Sequence, residues 1–249
     1  SGKTSWLTTK LHLKYISKFN ACWVPDVSGV QNLSGVLGHP EKVLDKIKYI
    51  GPLSRIEKKS LPIKYDIMVL LSGPEPQRTL LEKKLSKELE KSTKEILFVK
   101  GVVESQQEIE KTNSITYYNF MNSEQLNTAF NESEVVVCRS GYTTVMDLAK
   151  LEKKAFFIPT PGQYEQEYLA KKFKSEIIAP SCKQEKFKAS KLEKIHFYKG
   201  FNDYSVETNW NELFSLFQSK WKFWTNSYLT FNIDFFFVTL NNVFNDCQT

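Results

Sequence analysis

The most regular pattern in the chain begins at Asp66, where Ile67-Met68-Val69-Leu70-Leu71 form an unbroken apolar run. A run this short and this uniformly apolar fits a strand covered on both faces. Ser72-Gly73-Pro74-Glu75-Pro76 interrupts it with turn residues, and Pro76 suits the first position of a helix reaching Lys91. The same alternation then repeats. Apolar periodicity predicts strands at 95–100, 116–118, 134–138 and 155–158, and helices at 123–130, 142–150 and 164–173. Ile177-Ile178 reads as a last strand. A closing helix is predicted over 207–218, with Trp210, Leu213, Phe214 and Phe217 on one face. Strands and helices alternating over short loops imply an α/β fold with a Rossmann-like, doubly wound parallel sheet. Such sheets bind ligands at the carboxyl ends of their strands, which singles out the loops 72–76, 139–144 and 159–166.

The two ends of the chain read differently. Residues 6–17 suit an amphipathic helix, 21–24 a strand ending at Pro25-Asp26, and 32–48 a loop holding Gly35, Gly38 and Pro40. Tyr49-Ile50 then begins a new strand. Residues 1–48 are too few for a domain and read as the tail of a preceding one with its linker, followed by a domain over 49–220. The chain opens at Ser1 without Met or signal peptide and reads as a fragment. Residues 221–249 hold nine aromatics and three charges, so they suit either an apolar surface or packing against the body.

Composition narrows the partners. Hydrophobic residues make up 41% and charged residues 25% of the 249, which excludes collagen-like and wholly disordered chains. Of the 34 basic residues behind the net charge of +6, only three are Arg (Arg55, Arg78, Arg139), and the Lys are dispersed. That is a solvated surface and not a nucleic-acid stripe, though it leaves a mild pull toward anionic lipid and phosphate. Cys22, Cys138, Cys182 and Cys247 lack metal-ligand or disulfide spacing, and no apolar run is long enough to span a bilayer. The expected setting is cytoplasmic, with peripheral membrane contact left open.

Four segments carry candidate chemistry. Ser1-Gly2-Lys3-Thr4 matches the end of a phosphate-binding P-loop without its upstream glycine, and a Lys-rich helix start explains it as well. Ser72-Gly73 joins a buried strand to a helix whose first N–H groups suit a diphosphate, or is simply a chain reversal. In Arg139-Ser140-Gly141-Tyr142-Thr143-Thr144-Val145-Met146-Asp147, Gly141 permits close backbone approach and Thr143 and Thr144 lie in the first helical turn. Asp147 follows one turn later, placed either to accept from a ribose diol or to complement the helix dipole. Glu165 and Gln166 open the next helix and suit sugar hydroxyls or ordinary helix-start polarity.

Taken in order, Ser72-Gly73, Phe120-Met121, Arg139-Ser140-Gly141 with Thr144 and Asp147, and Glu165-Gln166 with Ala170 resemble the C-terminal domain of glycosyltransferase family 28. The resemblance covers about 47–180; Trp23-Val24-Pro25-Asp26 and Tyr49-Ile50-Gly51-Pro52 resemble the family's crossover from its first domain. It implies the C-terminal, donor-binding half of a GT-B fold, in which two Rossmann-like domains flank the active site. It further implies a UDP-sugar as donor substrate, no cofactor or metal, and hexosyl transfer to an acceptor the sequence does not identify. By the same resemblance Phe120 and Met121 present their backbone to the base, with Arg139 near that pocket. Ser72, Gly141 and Thr144 meet the diphosphate, with Gly73 and Ser140 beside them in the donor site, Asp147 the ribose, and Glu165 and Gln166 the sugar. Three positions depart from the family pattern: Glu75 brings an acid to the phosphate turn, Asp147 replaces a Glu, and Leu169 replaces an Asn. The catalytic base is expected from the N-terminal domain, since His12, His39 and His196 lie outside the motif loops. Two other readings stand beside transfer. One is a UDP-sugar 2-epimerase of the same fold, and the other a noncatalytic nucleotide-sugar-binding subunit that works with an acceptor-binding partner chain.

Overall fold

A computed structural model of the chain describes residues 11, 13–39, 45–202, 204, 211, 213 and 214. Residues 1–208 form one compact unit and 209–249 a second, in which Asn211, Leu213 and Phe214 are helical. The Ser1–Thr4 motif, most of the helices expected over 6–17 and 207–218, His12, Pro40 and the aromatic segment 221–249 lie outside the described residues.

The first unit begins with β1 (Cys22–Val24) and β2 (Ile47–Tyr49), paired in parallel as a small sheet of their own. The main sheet follows from β3 (Tyr65–Leu70), β4 (Ile96–Val99), β5 (Ile109–Thr112), β6 (Ile115–Tyr118), β7 (Ser133–Cys138) and β8 (Lys154–Phe157). Between them run the helices α1 (Gln77–Leu89), α2 (Ser123–Asn131), α3 (Tyr142–Leu151) and α4 (Tyr164–Ser175). The sheet order is β5-β6-β4-β3-β7-β8. All neighbours are parallel except β5, which runs antiparallel to β6. The chain winds outward from β3 through β4 to β6, then returns to the other side of β3 with β7 and β8. The reversal lies between the carboxyl ends of β3 and β7, the place where doubly wound sheets hold their ligands.

Alternation along the strands divides the interior in two. Met68, Leu97 and Val136 face Phe130, Leu148, Ala149 and Phe173 of α2, α3 and α4. Ile67, Val69, Phe98 and Val137 face Leu81, Leu85 and Leu89 of α1, together with Phe187 and Ile195 from the two 3-10 segments Gln184–Lys186 and Ala189–Phe197. Each such fully buried side chain contributes about 1.5–3 kcal/mol. This is the doubly wound sheet predicted from the apolar runs.

Two local expectations are corrected. Ile177-Ile178 is not a strand: Ile177 adopts φ 58°, and Ile178 donates its N–H back to the Phe173 carbonyl at 2.9 Å, closing the end of α4. The chain rejoins the sheet four residues later, where Ser181 bridges Phe157. Strand β5 was not predicted at all. Its four residues, Ile-Glu-Lys-Thr, are exposed, so no burial period marks it.

Residues 25–38 strap across α3 and α4. Asp26, fully buried, accepts from the N–H groups of Val27, Leu33 and Ser34 at 2.7–2.8 Å and from the Ser34 hydroxyl. Leu33 enters the core with 0% exposure. Tyr142 at the start of α3 donates its hydroxyl to Pro25 O, and Lys172 of α4 donates to Asn32 O at 2.6 Å. Among the described residues no helix is long and apolar enough to cross a membrane.

Candidate functional site

The loops after β3, β7 and β8 meet at the carboxyl edge of the sheet. Gly73 adopts φ 105°, which suits glycine, and the only atom within 4 Å of where its Cβ would stand is the Thr160 hydroxyl, at 3.8 Å. The turn after β3 and the loop after β8 are therefore neighbours.

Glu75, the acid in the phosphate turn, has its charge offset locally. Arg78 donates to it at 2.7 Å, and the Thr79 N–H at the start of α1 donates at 3.2 Å. Hydrogen bonding from Thr79 and Arg78 holds its carboxyl below the usual carboxylate range. The protein thus supplies its own anion at the amino end of α1.

The amino end of α3 is different. Its cap is Gly141, which offers no side-chain cap bond, and a Cβ there would meet nothing within 4 Å. The first-turn N–H groups of α3, at the positive end of its dipole, are therefore without a side-chain cap. Thr144 is half-buried in this turn. Asp147, one turn on, is held from an unexpected direction: the Ser54 hydroxyl donates to Oδ1 at 2.5 Å. Burial pushes the Asp147 carboxyl above its ordinary range, while the Ser54 bond and the charge of Arg55 pull it partly back. Neither Ser54 nor Arg55 was marked by the sequence, because 93 residues separate Ser54 from the carboxylate it orients.

Other predicted residues have become scaffolding. Arg139, expected near the base with Phe120 and Met121, lies buried at 1% exposure and reaches the other way. Its guanidinium donates to the carbonyls of Ile158 and Pro159 beyond β8, to Gln77 O at 2.9 Å and to the Gln184 amide oxygen. Phe120 and Met121 follow β6, separated from β7 by β4 and β3. Both backbone groups of Phe120 are satisfied internally: its N–H donates to Asn119 Oδ1 and its carbonyl accepts from Gln107 Nε2 at 2.7 Å. Met121 packs against the core. Ser140, fully buried, donates to Gln166 O at 2.7 Å, tying the β7 loop to α4. The Gln166 amide accepts from the Thr160 N–H at 2.9 Å and donates to Gln163, which fixes the β8 loop. Glu165 and Ser72 are exposed at the rim.

Two of the three histidines lie among the described residues. His39 stacks on Tyr49 at 4.4 Å beside Ser34 and Asp26, and His196 is exposed in the second 3-10 segment.

Comparison with known proteins places this arrangement. The family model described as the glycosyltransferase family 28 C-terminal domain matches residues 75–196. No curated protein matches the chain. Among solved structures, the glycotransferase of kitacinnamycin is similar at 15% identity and TM-score 0.47, over 66% of this chain and 44% of that one. MurG from Acinetobacter baumannii is similar at 19% identity and TM-score 0.47, over 72% and 58%. The solution structure of ALG13 is similar at 15% identity and TM-score 0.44, over 62% and 95%. The chain spans about half the length of the first two. The match runs from Glu75, just ahead of α1, to His196 in the second 3-10 segment, so residues 75–196 of this chain correspond to a glycosyltransferase family 28 C-terminal domain.

Proposed function

We propose that this chain binds a nucleoside diphosphate sugar, a UDP-sugar by its family, as the donor-binding part of a glycosyltransferase that moves a hexosyl group to an acceptor. The observation that carries this reading is the uncapped amino end of α3 at the sheet's reversal point. Its first-turn N–H groups have no side-chain cap and lie one turn before the Asp147 carboxylate, whose Oδ1 is held by Ser54. Backbone dipoles fixed in this way favour the charge that builds on a leaving diphosphate, and they need no rearrangement as the bond breaks. Gly141 and Thr144, with Ser72 from the β3 turn, would meet the phosphates, Asp147 a ribose hydroxyl, and Glu165 the sugar. The catalytic base and the acceptor site belong to a second Rossmann-like domain in this proposal. A cytoplasmic setting fits the free thiols of Cys22, Cys138 and Cys182, and the net charge of +6 supports contact with an anionic membrane surface.

The test is isothermal titration calorimetry of UDP, UDP-GlcNAc, ADP and GDP against the chain and its Asp147→Ala variant. UDP should bind, and the variant should lose about tenfold in affinity, or 1.4 kcal/mol. Binding of ADP or GDP in preference to UDP, or UDP binding unaffected by the substitution, would refute the assignment.

A further inference from the structure

Beneath the Ser72–Gly73 turn two buried polar groups have no hydrogen-bond partner among the described residues. The Thr160 hydroxyl, on a residue 2% exposed, makes no hydrogen bond, and neither does Nε of Arg139, on a residue 1% exposed. Buried polar atoms are almost always satisfied, and leaving one unpaired costs about as much as a lost hydrogen bond. Gly73 looks directly onto the Thr160 hydroxyl, which sets that oxygen on the floor between the β3 and β8 loops.

Arg139 lies under the same floor. Its Nη1 donates at 3.0 and 3.1 Å to Ile158 O and Pro159 O, the two carbonyls preceding Thr160 in the chain. Its Nη2 donates to Gln77 O and Gln184 Oε1, so every acceptor is neutral. Among the described residues no carboxylate pairs with this guanidinium. Burial pulls its pKa down to about 10, which leaves it charged at neutral pH. A buried cation surrounded by dipoles alone is incompletely compensated.

We infer that Thr160 and Arg139 form an anion subsite under the Ser72–Gly73 turn. The Thr160 hydroxyl donates to a phosphoryl oxygen of the bound diphosphate, and the guanidinium beneath supplies the counter-charge through space. A sugar hydroxyl in the same place would satisfy Thr160 but leave the charge of Arg139 unanswered, so the phosphate is the better occupant. This inference rests on the donor-site reading and adds the β8 loop to it: the diphosphate is clamped between the amino end of α3 and this floor.

Titration of the full chain with UDP, inorganic pyrophosphate and uridine, for the parent, Thr160→Val and Thr160→Ser, tests it. Valine keeps the shape and β-branching of threonine and removes only the hydroxyl. Thr160→Val should weaken UDP and pyrophosphate about tenfold, leave uridine unchanged, and leave the ligand-free melting temperature equal or higher, because an unsatisfied buried hydroxyl has been removed. Thr160→Ser should restore affinity. UDP binding unchanged in Thr160→Val but weakened in Asp147→Ala would overturn this inference and leave the donor site standing. A parallel loss of uridine binding would also overturn it, since the phosphate would then not be what Thr160 senses. A folded parent that binds none of the three would remove both readings together.

Discussion

Asp147 is a half-buried acid whose Oδ1 accepts a hydrogen bond from the Ser54 hydroxyl. Its spacing from Gly141 marked it as a ligand contact, but nothing local announced Ser54, which approaches from a Gly-Pro crossover segment and takes one carboxylate oxygen. Long-range partners leave no periodic trace, so the residue was readable and its environment was not. That environment has a measurable consequence. Because burial raises the Asp147 pKa above the ordinary 3.8, the folded chain holds this proton at pH values where the unfolded chain has released it. Stability therefore falls as pH rises from the unfolded value through the folded one, and the penalty is complete above it. Asp147→Asn keeps an acceptor for Ser54 and removes the charge. It should raise the melting temperature at about pH 7, and this advantage should disappear below about pH 4. Melting curves across that range decide the matter: a difference between variant and parent that does not change with pH would mean that Asp147 pays no burial penalty.

The loops differ in how much of their geometry their sequence reveals. Continuous apolar runs marked β3, β4, β7 and β8, because a strand covered on both faces has few other ways to be written. The exposed β5 had no such mark, and neither did the reach of Arg139, whose C-R-S-G setting says nothing of the carbonyls it ties together. Two glycines in the site region make the contrast testable. Gly101, after β4, adopts φ 70°, and a Cβ there would stand 2.4 Å from the Leu71 carbonyl, just before Ser72. Gly101→Ala should cost roughly 2–4 kcal/mol, through backbone strain and a clash that only chain movement can relieve. Gly141 adopts φ −70° with open space ahead, so Gly141→Ala should change stability by less than about 0.5 kcal/mol. Its methyl group would nonetheless stand where the diphosphate is proposed to approach, and UDP affinity should fall. Denaturant unfolding and calorimetry on both variants separate the two roles. A Gly141→Ala chain with full affinity would show that no ligand comes close to that backbone.

The packing of residues 25–38 bears on where the donor-binding body ends. The sequence places a boundary at residue 48, because 1–48 lacks the apolar mass of a domain and its glycines and proline read as linker. Composition cannot show that a single leucine within such a stretch is fully enclosed by other elements. Leu33 shares a cluster with Ala149 of α3 and Phe173 of α4, while Val30, three residues earlier on the same strap, is 96% exposed. The buried carboxylate of Asp26 binds the strap's own backbone, and Tyr142 and Lys172 fasten it to the helices that frame the proposed site. The strap is accordingly part of the folded body, and through Tyr142 it braces the first residue of α3. Leu33→Ala should cost about 2–5 kcal/mol, as in other cores, and lower the melting temperature by roughly 5–15 °C for a unit of this size. Val30→Ala should shift stability by no more than about 0.5 kcal/mol. If the two variants melt together, the strap is a detachable linker, and the boundary at residue 48 is the true one. If Leu33→Ala alone falls, and UDP affinity falls with it, the crossover segment helps hold the donor site in shape.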